Sequence, residues 1–157
     1  MSWIREQFTF HDLQRLLFKL AERVKAFQGL KPAEISELLA RTEKCSFEAG
    51  AQIVKEGSVG NHMYIILDGE AVVSKKGRDG ELELARLSSA DSFGEMALAD
   101  NEARSATVTA LSPCVLVRLS DQVLNSNPEI GMKVYRNVAR VVSARLRNAD
   151  EALAWRI

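Results

Sequence analysis

From Phe10 to Phe27 the apolar residues Phe10, Leu13, Leu17, Leu20, Val24 and Phe27 recur at spacings of three and four. That is the period of an amphipathic helix, and its stripe needs a cover. Gly29 and Pro32 interrupt the pattern. "KPAEISELLARTEKC" then predicts a second helix, with Pro32 near its start and Ile35, Leu38 and Leu39 on one side. After Cys45 the period drops toward two. "QIVKEG", "MYIILDG", "EAVVSKKG", "ELELARL", "SATVTALS" and "CVLVRLS" read as short strands separated by Gly57, Gly60, "DG" and "RDG" turns. Regular short strands of this kind form a sandwich or barrel, whose edges are managed by closure or by a double-sheet jelly roll. From Asp121 the helical period returns, and a long helix runs from Glu129 toward Ile157 after Pro128. The expected fold is mainly β with flanking helices, a β jelly roll with N-terminal helices and a long C-terminal helix. Residues 1–29 form an N-terminal helical extension, and residues 30–157 hold a second helix, a jelly roll over about 45–120 and C-terminal helices over 121–157.

Composition narrows the function classes. The 157 residues are 46% apolar and 27% charged, ordinary for one self-folding domain. Lys plus Arg and Asp plus Glu both total 21, so no net basic field is available to a nucleic-acid backbone and any anion site must be local. No apolar run is long enough to span a membrane, and "MSWIREQF" lacks the order of a signal peptide, which points to the cytoplasm. Cys45 and Cys114 have no CxxC spacing and read as reduced, buried thiols.

The candidate chemistry lies in "FGEMALADNEARSATV", residues 93–108. "SFGEMALAD" has helical spacing for one or two turns, so a short helix begins near Gly94. Its first amides favour an anion, and Gly94, lacking a Cβ, permits close approach. Arg104 offers a planar fork to two phosphate oxygens, while Ser105 and the amide of Ala106 supply further donors. Glu95 would be repelled by that anion unless the ligand also carries a hydroxyl for it to accept, so sugar plus phosphate suits both residues. The alternative from these residues alone is a solvated Glu and Arg, or an exposed ion pair worth about 0–1 kcal/mol.

"FGEMAL" followed by "RSATV" closely resembles the phosphate-binding cassette of the cyclic nucleotide-binding domain family. The resemblance extends through "LKPAEISELL", "FEAGAQIVKEGSVGNHMYIILDGEAVV" and "NPEIGMKVYRNVARVVSARL", covering roughly residues 27–149. It implies a jelly roll flanked by helices. It also implies that Glu95 holds a ribose 2′-hydroxyl and that Arg104 pairs with the cyclic phosphate. The amides of Gly94, Met96, Ser105 and Ala106 would complete the cradle. In that family the long helix swings over the base, which places Val138, Val142, Arg145 and Leu146 as the expected lid face. Two positions depart from the family pattern: Ala90 stands where Gly is frequent, and Ala103 where Pro is. Ser105 leaves cAMP and cGMP both open, with cAMP favoured.

Other chemistry finds little footing. A cupin-like metal enzyme needs about three His or carboxylate ligands on neighbouring strands. The only histidines are His11, beside the first helix, and His62, before "MYIIL". No GxSxG, HExxH or P-loop lysine motif occurs. No metal, cofactor or catalytic residue is therefore expected. Arg136, Arg140, Arg145 and Arg147 read as a solvated helix face rather than a DNA contact. Transcriptional regulators of the resembled family carry a helix-turn-helix after the long helix, and none follows Ile157, so DNA is not expected as a partner. The sequence implies a non-enzymatic cyclic nucleotide sensor that signals through its terminal helix to an effector, or within a homodimer. A scaffold with the same barrel and an unused pocket is the alternative. The effector is unnamed: the chain reads equally as complete or as a regulatory piece of a channel, kinase or transporter.

Overall fold

In the computed structural model, which describes residues 9–155, Thr9 opens helix α1 (Phe10–Arg23) by accepting the Asp12 amide at 3.2 Å. The apolar stripe continues beyond the helix: α1 ends at Arg23, Val24 is extended, and a 3₁₀ turn (Lys25–Phe27) carries Phe27 into the core. Phe10, expected in the stripe, is exposed, and residues 1–8 and 156–157 of the expected terminal segments lie outside the described residues. Helix α2 (Pro32–Leu39) starts at a proline. Glu34 reaches back to accept the Lys31 amide at 3.0 Å and also meets Lys133 Nζ at 3.1 Å.

Eight strands follow: β1 (Glu43–Phe47), β2 (Gln52–Val54), β3 (His62–Asp68), β4 (Ala71–Gly77), β5 (Gly80–Leu87), β6 (Ser92–Phe93), β7 (Thr107–Ala110) and β8 (Cys114–Ser120). They form two four-stranded antiparallel sheets, β1-β8-β3-β6 and β2-β7-β4-β5, the double-sheet jelly roll the pattern predicts. The pattern omits β1, whose start precedes Cys45 and whose alternation is weak, and β6, which is two residues long. Helices α3 (Asp121–Asn125) and α4 (Pro128–Ala154) end the described chain.

The near-continuous apolar run of β3 has a physical cause. Met63 and Ile65 face a cluster built with α1, α2 and α4, whereas Tyr64 and Ile66 face the space between the sheets. A strand covered on both faces cannot afford polar alternation. Leu17 and Leu20 of α1 and Val134 and Val138 of α4 share the helical cluster, so the chain's own helices cover the stripe of α1. Cys114 is buried between the sheets, but Cys45 is only half-buried there, a correction to the expectation of two buried thiols. Both are free, and burial pushes both thiols up.

Candidate functional site

Strand β6 hands the chain to the site. Phe93 stacks on Tyr64 with ring centroids 5.1 Å apart, and the next residue, Gly94, adopts φ 77°. This left-handed turn is open to glycine at little cost. It starts the expected short helix, a 3₁₀ turn over Glu95–Leu98. The amides of Glu95 and Met96 stand at its start without intrahelical acceptors.

Arg104 is fixed from its backbone outward. Its amide donates to Ser58 O at 2.7 Å, its carbonyl accepts the Gly57 amide at 2.8 Å, and Ala103 bridges Val59. The loop between β2 and β3 therefore holds it without the proline seen in the family pattern. Its guanidinium donates to His62 O at 2.7 Å and to Gly94 O at 3.4 Å. Two glycines make the room: a Cβ on Gly94 would stand 2.6 Å from Nη1, and one on Gly60 2.9 Å from Nη2. Among the described residues no carboxylate pairs with Arg104. It is a half-buried cation whose partners among the described residues are neutral carbonyls. Burial, then the charges of Arg118 and Arg104, holds the neighbouring His62 imidazole below its ordinary pKa.

Glu95 is the reverse of a solvated loop residue. Its side chain is 1% exposed, yet it lines the same cavity, of about 380 Å³, as Arg104, Ser105 and Ala106. Ser92 Oγ donates to Oε1 at 2.8 Å. Arg145, fifty residues along the chain on α4, donates to Oε2 at 3.1 Å and to Oε1 at 3.4 Å. Of the helical face expected to meet a base, Arg145 alone lines this cavity. Val138 and Val142 pack into the helical cluster, and Leu146 is exposed. Arg145 is thus not the plain solvated arginine of the helix-face reading; Arg136, Arg140 and Arg147 do lie exposed.

The sequence reading omitted the cavity's apolar wall, formed in part by Val54, Val73, Leu84 and Leu87. Leu84 offered a signal, as a large apolar residue on a strand read as half-polar. Its strand, β5, is a sheet edge with most positions exposed. The amides of Ser105 and Ala106 meet no protein acceptor among the described residues. Donors, one unpaired cation, a buried carboxylate and an apolar wall thus share one concave site, within the ordinary size range for a small ligand.

Ala90 is the other departure from the family pattern. It sits at φ 74°, a left-handed conformation that costs a non-glycine residue about 1–2 kcal/mol. The turn is held by the Ala90 amide on Ile66 O at 2.7 Å and the Ile66 amide on Asp91 O at 2.9 Å. Among the described residues no group of His, Cys, Asp and Glu is placed to hold a metal, and no helix is long and apolar enough to cross a membrane. His11 is exposed on α1, far along the chain from His62 on β3.

Comparison with known proteins gives the same direction. Residues 44–126 match the family model described as cyclic nucleotide-binding domain. The chain is 29% identical over 141 residues to the CRP-like cAMP-activated global transcriptional regulator of Mycobacterium tuberculosis, covering 87% of this chain and 61% of that protein. It is 38% identical over 102 residues to a cGMP-dependent protein kinase of Eimeria tenella, covering 65% of this chain and 10% of the kinase. Among solved structures, the Thermus thermophilus catabolite activator protein superposes with a TM-score of 0.78 at 29% identity, over 83% of this chain and 62% of that one. The chain thus spans less than two thirds of the length of these relatives.

Proposed function

The chain belongs to the cyclic nucleotide-binding domain family, and from that premise we propose that it senses cAMP and passes occupancy from the cassette through α4 to an effector. The observation that carries this reading is Arg104, a half-buried guanidinium facing the cavity with only carbonyl partners among the described residues. An anion at that point gains a bidentate, charge-assisted contact that no protein carboxylate competes for. The amides of Gly94, Met96, Ser105 and Ala106 complete a phosphate cradle. Glu95 takes the ribose 2′-hydroxyl, because an ionised carboxylate accepts and does not donate.

Occupancy reaches α4 through Arg145. Both oxygens of Glu95 are engaged by Arg145 and one also by Ser92. A ribose hydroxyl arriving at Glu95 competes with that pair. With that pair released, the end of α4 beyond Val142 is free to repack as a lid. The module is regulatory rather than catalytic, and α1 with the turn after it acts as a helical extension on it. Its output partner is an effector protein, a further domain or a second copy, rather than DNA contacted by α4 itself.

Calorimetric titration with cAMP and cGMP tests the reading. Saturable 1:1 binding, tighter for cAMP, is expected. In hydrogen exchange, cAMP should protect residues 134–149 as well as the cassette. Protection confined to the cassette would leave a binding module without its switch, and no binding of either nucleotide would favour a scaffold with an unused pocket.

A further inference from the structure

Behind the Glu95–Arg145 pair lies a second, larger cavity of about 630 Å³, between the end of α1, the turn before β6 and α4. Its lining is strongly biased in charge. Arg23 and Lys25 face it from the first helical segment, Arg140 and Arg145 from α4, and Arg86 from the end of β5. Only Glu22 and Asp91 oppose them. Arg86 is already paired with Glu83 at 2.8 Å, and Asp91 is turned to the Ser88 amide at 2.8 Å. Arg23, Lys25 and Arg140 form no ion pair among the described residues. In a chain with equal numbers of acidic and basic residues, this is a local concentration of positive charge around a concavity.

We propose that this cavity binds a small, multiply charged phosphate compound, and that Arg145 couples it to the nucleotide pocket. The size suits a metabolite, and the guanidinium forks of Arg23 and Arg140, with Arg145 beside them, suit phosphate oxygens. The wall also carries Asn137, which is 4% exposed and whose Nδ2 is committed to Ala26 O at 3.0 Å and Gln28 O at 2.7 Å. Its Oδ1 meets no protein donor among the described residues and is available to a ligand hydroxyl.

The coupling follows from shared residues. Leu87, Ser92 and Arg145 line both cavities, and Ser92 and Arg145 are the partners of Glu95. A phosphate in the second cavity gives Arg145 another anionic partner and so frees Glu95 for a ribose hydroxyl. Nucleotide affinity should then rise, and by linkage nucleotide should raise phosphate affinity by the same factor. The coupling rests on the reading of Glu95 given above, whereas the phosphate site does not.

The test is calorimetry on the intact chain with inorganic pyrophosphate as the probe, citrate at matched ionic strength as the comparison, and no nucleotide present. Saturable pyrophosphate binding is expected, at least tenfold tighter than citrate, and at least tenfold weaker in Arg23→Gln/Arg140→Gln. Circular dichroism melting confirms that this variant is folded, and Lys25→Gln gives an independent second variant. Absent binding, equal binding of citrate, or binding unchanged in both variants would overturn the phosphate site. In a second arm, saturating pyrophosphate should tighten cAMP binding about three- to tenfold, and Arg145→Gln should remove that increase. Pyrophosphate that competes with cAMP, or leaves its affinity unchanged, would overturn the coupling.

Discussion

Replacing Glu95 and Arg145 singly and together measures whether α4 is latched to the cassette in the nucleotide-free protein. Glu95 is 1% exposed and Arg145 58% exposed, so the pair falls between two known regimes. Fully exposed pairs are worth about 0–1 kcal/mol, and breaking a buried pair costs about 3–5 kcal/mol. One partner in water screens the attraction, while the other, buried with only Ser92 left to it, is expensive to strand. A coupling of about 1–2 kcal/mol is the consequence. The assay is a double-mutant cycle by urea denaturation on Glu95→Gln, Arg145→Gln and the double variant, all without nucleotide. Gln at position 95 keeps an acceptor for Ser92 Oγ, so the cycle isolates the contact between the two side chains. Both single variants should also speed hydrogen exchange in the last turns of α4 by a similar factor, with no further increase in the double variant. Single effects that add to within about 0.3 kcal/mol would refute the latch.

Glu95→Ala should weaken cAMP binding, and the defect should vanish against 2′-deoxy-cAMP; a defect that persists in full removes the ribose role. Gly94→Ala should keep the fold yet weaken nucleotide binding about tenfold, a judgement from a Cβ 2.6 Å from Arg104 Nη1 and from a left-handed site that costs alanine about 1–2 kcal/mol. Unchanged affinity in that variant would show that the position of Arg104 is not what Gly94 protects. His62 has a folded-state pKa below its unfolded value, so the unfolded chain binds the extra proton first. Stability from this group is therefore complete above about pH 6.5 and falls as pH drops toward the depressed folded value. Urea midpoints of the intact chain and His62→Gln, measured from pH 7.5 down to 5.5, should diverge in slope, and parallel curves would contradict the assignment.

Local pattern carried much of this. The cassette is one contiguous stretch, so Gly94, Glu95 and Arg104 were legible together, and β3 and β8 were legible because apolar and β-branched residues mark strands buried on both faces. Strands β1 and β6 were not, because a weakly alternating or two-residue strand is defined by its partners in the sheet rather than by its own period. The environment of Glu95 was illegible for a related reason. Its burial and its contact with Arg145 depend on how α4 crosses the end of the barrel, which no spacing encodes. Ala90 shows the limit from the other side: its identity argued against a glycine-like turn, yet hydrogen bonds to β3 and the following residues hold it at φ 74°.

The most direct test is calorimetric titration of cAMP into the intact chain and into Arg104→Ala, with denaturation curves confirming that both are folded. Losing one partner of a buried charged hydrogen bond costs on the order of 2–5 kcal/mol, about 30-fold or more in affinity. The account predicts saturable 1:1 binding to the intact chain and a loss of at least that size in the variant. Equal affinity in the two proteins would contradict it, since Arg104 would then not be the group that holds the phosphate.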